Sequence, residues 1–187
     1  AKNVDSETIE IFHNGCLLTT IKTQLAGIHN VYNTLAVVAA LNEAGVELKK
    51  IAQYFYPFTG MGRRFQKVCE FNGITVYDDY AHHPTEIKAA LQAAASKFGK
   101  ENVVAVFQPH RFTRLQSLWK EFLTAFENAG RVIVTDVYAA SEDSIEGING
   151  ENFAAELSCE YVSGNMQDVA RKLMPSLKKG DVVIGLG

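Results

Sequence analysis

Residues 102–107 read NVVAVF, a near-continuous apolar run of the kind found in strands buried on both faces of a parallel sheet. RVIVTDVY at 131–138 reads as a second such strand, and DVVIGLG at 181–187 as the last strand of the chain. Helical stripes fill the intervals. Pro84 suits the first position of a helix over 84–98, with Ile87, Ala90, Leu91, Ala94 and Phe98 on one face. A longer helix is predicted over 112–129, with Leu115, Leu118, Trp119, Phe122 and Phe126 on its apolar side. Weaker patterns predict a helix near 150–157, a short strand at CEYV and a helix in NMQDVARKLMPSL. Strand-helix alternation from residue 74 onward predicts an α/β fold with a doubly wound, mostly parallel sheet.

The N-terminal part reads differently. IEIFHNGCLLTTIKT is a hairpin around Asn14-Gly15. A helix follows Gly27, with Val31, Leu35, Val38 and Leu41 at helical spacing and Gly45 closing it. ELKKIAQYF predicts a second, short helix, and Pro57 and Gly60 interrupt the pattern. A domain boundary is placed near Pro57, giving segments 1–57 and 58–187. The second segment opens with another hairpin, RRFQKVCEF and ITVYDDY around Asn72-Gly73. Both chain ends are read as cut from a longer protein.

Apolar content of 47% suits a globular core, and a formal charge of −3 points to neither a nucleic-acid nor a membrane partner. No apolar run approaches the ~18 residues of a membrane span. Cys16, Cys69 and Cys159 form no CxxC pair, which fits a reducing, cytoplasmic setting without a disulfide or zinc framework. They are expected to be small apolar packing residues. No sequence feature specifies an oligomeric state.

Ligands of doubly wound sheets bind beyond the carboxyl ends of the strands. That rule selects YDDYAHHPT (77–85), QPHRFTR (108–114) and DVYAASED (136–143) as clusters expected on one edge. Asp78 and Asp79 end a strand, and His82 and His83 open a helix. A carboxylate there can hold ribose hydroxyls, and an imidazole beside free backbone N–H groups can face an anion. The residues alone equally allow the acids to cap the turn and the imidazoles to be solvated.

Arg111 and Arg114, three apart at a helix entrance, oppose the helix macrodipole unless an anionic ligand offsets them. As plain surface arginines they need no ligand. Arg63 and Arg64 either split between solvent and a ligand or guard an edge strand. His29, Asn30 and Asn33 open the first long helix. Asn30 is the expected N-cap, and Asn33, one turn further on, has an amide able to read a base edge. Glu142, Asp143 and Glu146 read as a solvated acidic loop. The chain contains no glycine-rich phosphate loop with a lysine and no Cys–His or Ser–His pair that would mark a nucleophile.

As a set, GIHNVYN (27–33), FTGMGRRF (58–65), DDYAHHPTE (78–86), FQPHR (107–111) and VYAA (137–140) resemble the Mur ligase family, ATP-dependent amide-forming enzymes of peptidoglycan synthesis. The resemblance covers nearly the whole chain. It implies that residues 1–57 end a central ATP-binding domain and that 58–187 form a Rossmann-like ligase domain, truncated at its end.

The activity it implies runs through an acyl phosphate. ATP phosphorylates the carboxylate of UDP-N-acetylmuramate, the amine of L-alanine attacks, and phosphate leaves, with Mg²⁺ bridging the phosphates. By resemblance, Asn33 would contact adenine with His29 close by. Arg64 and Asp79 would hold the ribose and phosphate region. Tyr80 and His82 would line the amino-acid pocket, and Arg111 and Arg114 would hold the alanine carboxylate and the developing charge.

The Walker-type loop, the metal-binding acidic residue and the UDP-binding domain of the family are absent from this sequence. The chain by itself is therefore expected not to turn over. Two alternatives share these motifs: a recycling ligase that attaches a tripeptide to the same sugar acid, and a non-catalytic nucleotide-binding module.

Overall fold

The structure is a computed structural model that describes residues 1–5, 7–25 and 27–187. The chain divides into two compact units, Ala1–Met61 and Gly62–Gly187.

In the first unit, β1 (Lys2–Asn3), β2 (Thr8–His13) and β3 (Cys16–Lys22) form an antiparallel sheet. Asn14 and Gly15 both take positive φ, 49° and 80°, which matches the right-handed twist of the two strands they join. Ile9, Ile11 and Ile21 pack against Val31 and Val38 of α1 (Ile28–Glu43) and Ile51 of α2 (Leu48–Phe55). Helix α1 starts directly after Gly27, as its sequence pattern predicts. Gly27 is its N-cap, so Asn30 sits inside the first turn rather than capping it. Thr34 joins Val31 and Val38 on the buried face, whereas Leu41 is exposed.

The second unit is a six-stranded sheet in the order β4-β5-β9-β6-β7-β8. Its strands are β4 (Gln66–Phe71), β5 (Ile74–Asp79), β6 (Val103–Phe107), β7 (Arg131–Thr135), β8 (Glu160–Val162) and β9 (Val182–Leu186). Only β4, paired through the Asn72-Gly73 turn, runs antiparallel; the others are mutually parallel. The helices are α3 (Pro84–Phe98), α4 (Phe112–Ser117), α5 (Trp119–Leu123), α6 (Gly150–Leu157) and α7 (Met166–Leu173).

The chain steps outward from β5 to β6, β7 and β8, then returns to insert β9 between β5 and β6. Right-handed crossovers put the helices of the outward steps on one face and the helix of the return step on the other. The core follows that division. Val103, Ala105 and Phe107 of β6 face α3, α4, α5 and α6, while Val104 and Val106 share a cluster with Val169 and Leu173 of α7. The fold class is therefore the one expected from the sequence, a doubly wound, mostly parallel α/β sheet with a hairpin at its start.

The expected helix over 112–129 is broken. Leu118 leaves helical geometry (φ −115°, ψ 20°), separating α4 from α5, and turns follow Leu123. Leu115 and Phe122 are both fully buried on either side of the break, and packing overrides helical continuity. The cysteines also depart from expectation. Cys16 and Cys69 are exposed, and only Cys159 is partly covered, where burial pushes its thiol up to about 11. Among the described residues, no helix is long and apolar enough to cross a membrane.

Candidate functional site

Asp79, Leu186, Phe107 and Val134 lie in register across β5, β9, β6 and β7, so these strands end level on one edge. Gly187 closes the row. Its N–H donates to the Asp79 carbonyl at 3.3 Å, and a Cβ there would stand 2.4 Å from the Gln108 carbonyl. With φ at 133° as well, only glycine fits.

The turn after β5 is built from its own polar side chains. Asp79 is 7% exposed, and its carboxylate accepts the Phe65 N–H at 2.8 Å and the Ala81 N–H at 2.9 Å. It thereby ties the 62–65 segment to the strand end, where Phe65 stacks on Tyr77 at 4.6 Å. Arg63 completes the tie by donating to Asp78 at 3.0 Å and to the Gly187 carbonyl at 2.7 Å.

Glu86, in the first turn of α3, accepts the N–H groups of His82 and His83 at 3.1 and 3.3 Å. The His83 ring accepts the Thr85 N–H at 3.3 Å, so His83 is the N-cap of α3. Tyr80 is 38% exposed, lies under the Arg63 guanidinium at 4.8 Å and meets the His82 ring edge-on at 4.9 Å. The His82 Nδ1 stands 2.8 Å from the Tyr80 carbonyl, which can only accept, so Nδ1 carries the proton.

The turns after β6 and β7 interlock. Tyr138 N–H donates to the Pro109 carbonyl and Arg111 N–H to the Tyr138 carbonyl, both at 2.8 Å. Arg111 adopts φ 74°, and Ala140 and Ser141 adopt 48° and 68°; such backbone costs about 1–3 kcal/mol per residue and collects at functional sites. Glu142 accepts the Thr113 N–H at 3.0 Å and its hydroxyl at 2.7 Å, and lies 3.7 Å from the Arg111 guanidinium. The hydroxyl and N–H of Thr113 hold its carboxyl below the usual range. Glu142 is thus a bracket on the start of α4, not a residue of a solvated loop. Its partner lies 29 residues away in sequence, which hides the role from local patterns.

His110 stacks on Tyr138 at 5.4 Å, lies 6.1 Å from the His82 ring and has its Nδ1 3.0 Å from Arg114 Nη1. Burial, then the charges of Arg114 and Arg111, lower its affinity for a proton. Sequence reading assigns this residue nothing, although it stands inside the FQPHR string.

Tyr80, His82, Arg111 and Arg114 are brought to one edge, linked through His110. Arg64 stands beside them, 6.0 Å from the Tyr80 ring and 3.8 Å from Glu86. Asp79 lies beneath, turned to backbone N–H groups. His29, half-buried, and Asn33, exposed, occupy the first two turns of α1 in the other unit. Among the described residues, no three His, Cys, Asp or Glu side chains gather as candidate metal ligands.

Guanidinium and imidazole groups collect on the carboxyl rim of a parallel α/β sheet, an arrangement whose chemistry suits an anionic ligand. The chain belongs to the Mur ligase family: residues 63–187 match the Mur ligase, glutamate ligase domain. It is 47% identical over 180 residues to a UDP-N-acetylmuramate–L-alanine ligase of Caldicellulosiruptor bescii, covering 94% of this chain and 39% of that protein. A ligase of the same name from Bdellovibrio bacteriovorus is 40% identical over 166 residues, covering 88% of this chain and 37% of that protein. The crystal structure of UDP-N-acetylmuramate–alanine ligase from Thermotoga maritima superimposes with a TM-score of 0.74 at 29% identity, covering 93% of this chain and 37% of that one. This chain therefore spans about two fifths of the length of these relatives.

Proposed function

We propose that this chain supplies the amino-acid-holding part of an ATP-dependent ligase that joins L-alanine to UDP-N-acetylmuramate. One observation carries the reading: Arg111 and Arg114 stand with Tyr80 and His82 on a single rim, in a chain 47% identical to a ligase of that name. In the reaction, a carboxylate oxygen of the sugar acid takes the γ-phosphoryl group and ADP departs. The alanine amine then attacks the acyl carbon, an N–H proton is lost, and phosphate leaves.

Arg111 and Arg114 hold the alanine carboxylate. His82, its Nδ1 proton fixed on the Tyr80 carbonyl, offers Nε2 as an acceptor for the amine proton. Tyr80 lines the pocket, and Arg64 serves the phosphate and ribose region of the nucleotide. Asp79 acts through the segment it anchors. When present, Mg²⁺ would neutralise phosphate charge. The tripeptide-recycling alternative has weaker support, because a murein peptide ligase from Psychrobacter arcticus shares the fold at only 20% identity.

A chimera tests the reading. Residues 1–187 replace the matching part of the Caldicellulosiruptor bescii ligase, and phosphate release is followed with ATP, UDP-N-acetylmuramate and L-alanine. Release is expected to depend on L-alanine. Arg111→Ala should raise the KM for L-alanine roughly 30-fold, about 2 kcal/mol for a partly exposed charged pair, and leave the KM for ATP unchanged. Release that needs a tripeptide, or none above that of the host lacking the segment, would refute the reading.

A further inference from the structure

We propose that His110 is a positioning residue: as a neutral imidazole it accepts a hydrogen bond from Arg114 on Nδ1, fixing that guanidinium and leaving its own Nε2–H as a donor beside His82. The geometry leaves one assignment. A guanidinium has donors only, so the 3.0 Å contact from Arg114 Nη1 requires a lone pair on His110 Nδ1. The proton of the neutral ring is then on Nε2. The same Nη1 reaches the His110 carbonyl at 3.3 Å, so one residue grips the guanidinium through backbone and ring together.

The ring cannot turn freely to release it. It is stacked on Tyr138, 28° from parallel, and the backbone of His110 is bridged to that of Tyr138. His82, 6.1 Å away, has the opposite arrangement, with Nδ1–H on the Tyr80 carbonyl and Nε2 as acceptor. The rim thus carries one imidazole acceptor and one imidazole donor, each set by its partner.

The charges facing His110 keep it neutral. Arg114 and Arg111 approach from the start of α4, His82 from the turn after β5, and Glu142 and Tyr138 from the turn after β7. Burial and the two guanidinium groups outweigh the single carboxylate and hold the ring below its ordinary proton affinity. Near neutral pH the grip is therefore closed. It opens only when the pH falls through that lowered value and Nδ1 gains a proton.

The assignment concerns this chain alone; what the fixed guanidinium holds rests on the ligase reading above. The test uses the ¹⁵N-labelled chain at pH 7.5. Ring nitrogen shifts should report His110 with its proton on Nε2, and the Arg114 guanidinium should rotate ~10-fold more slowly than in His110→Gln, the effect of one hydrogen bond to a charged group. His110→Asn places Oδ1 where Nδ1 was and should keep Arg114 slow. His110→Gln places its acceptor at the Nε2 position and should let Arg114 rotate ~10-fold faster than in the parent chain.

A proton on Nδ1 of His110, or equal Arg114 rotation in the Asn and Gln variants, overturns the proposal. In the chimera, His110→Gln should raise the KM for L-alanine ~10-fold and His110→Asn no more than ~3-fold, with the KM for ATP unmoved. An inactive chimera with a slow Arg114 would count against the ligase reading and leave the grip standing.

Discussion

Replacing Asp79 separates two readings of one carboxylate. A side chain that reached for ribose would leave the free chain indifferent to its loss. The structure instead turns Asp79 inward, onto the N–H groups of Phe65 and Ala81 at 2.8 and 2.9 Å. A hydrogen bond to a charged group contributes about 1.5–3 kcal/mol, so the pair has a ceiling of about 3–6 kcal/mol. The Phe65 N–H lies in a part-buried setting, where water recovers some of that loss. Asp79→Ala is therefore expected to cost about 3 kcal/mol, and Asp79→Asn, which keeps one acceptor oxygen, about 2 kcal/mol.

Urea unfolding of the chain measures the global cost. Amide exchange locates it, because local opening of the 62–65 segment should lower protection at Phe65 and Ala81 by roughly 30- to 100-fold while the β6 amides follow only the global change. Unaltered exchange at Phe65 and Ala81 in Asp79→Ala, with stability within ~0.5 kcal/mol of the parent, would refute the anchoring argument and return Asp79 to direct ligand contact.

Glu142 predicts a pH dependence. Its folded-state carboxyl titrates below the ordinary value because Thr113 donates to it, so its stabilisation is present above the unfolded value near 4.5 and is lost as the pH falls through the lowered folded value. Thermal midpoints of the parent and Glu142→Gln should thus differ at pH 7 and converge in acid; a constant gap from pH 7 to 3 would contradict this. Phe153 is fully buried among Phe107, Trp119, Phe122 and Phe126, and Phe153→Ala should cost about 3–5 kcal/mol by denaturant unfolding. A loss below about 1.5 kcal/mol would mean that the ring is not central to that core.

What the sequence made legible follows local periodicity. The all-apolar β6 announces a strand covered on both faces, and the stripe from Ile87 to Ala94 announces the face α3 buries. The insertion of β9 between β5 and β6 is invisible to such patterns, because pairing order is set by crossovers rather than by composition. The break at Leu118 is equally hidden, since Leu115 and Phe122 keep helical spacing across it.

At the rim, strand ends and helix starts are local features, so the clusters holding Tyr80, His82, Arg111 and Arg114 could be read directly. Glu142 could not, because its partner Thr113 stands at the start of α4, 29 residues away, and the ring of His110 is set by Tyr138 in the turn after β7. Asp79 carried an unused signal: counting by two from the buried Tyr77 puts it on the same covered face.

The rim guanidinium groups have partners of two kinds. Arg63 meets Asp78 at 3.0 Å, Arg64 meets Glu86 at 3.8 Å and Arg111 meets Glu142 at 3.7 Å. Such exposed pairs contribute about 0–1 kcal/mol, so a ligand carboxylate can displace the acid at little cost, though it must compete with it. Arg114 is gripped by a ring nitrogen and a carbonyl, both neutral acceptors that orient the guanidinium without cancelling its charge. On the proposed function, a carboxylate arriving at the rim would meet, at Arg114, a positive charge already aimed and not yet neutralised. On this argument His110 affects ligand affinity through the orientation of Arg114, which is why its Asn and Gln variants should part company while both leave the charge of the rim unchanged.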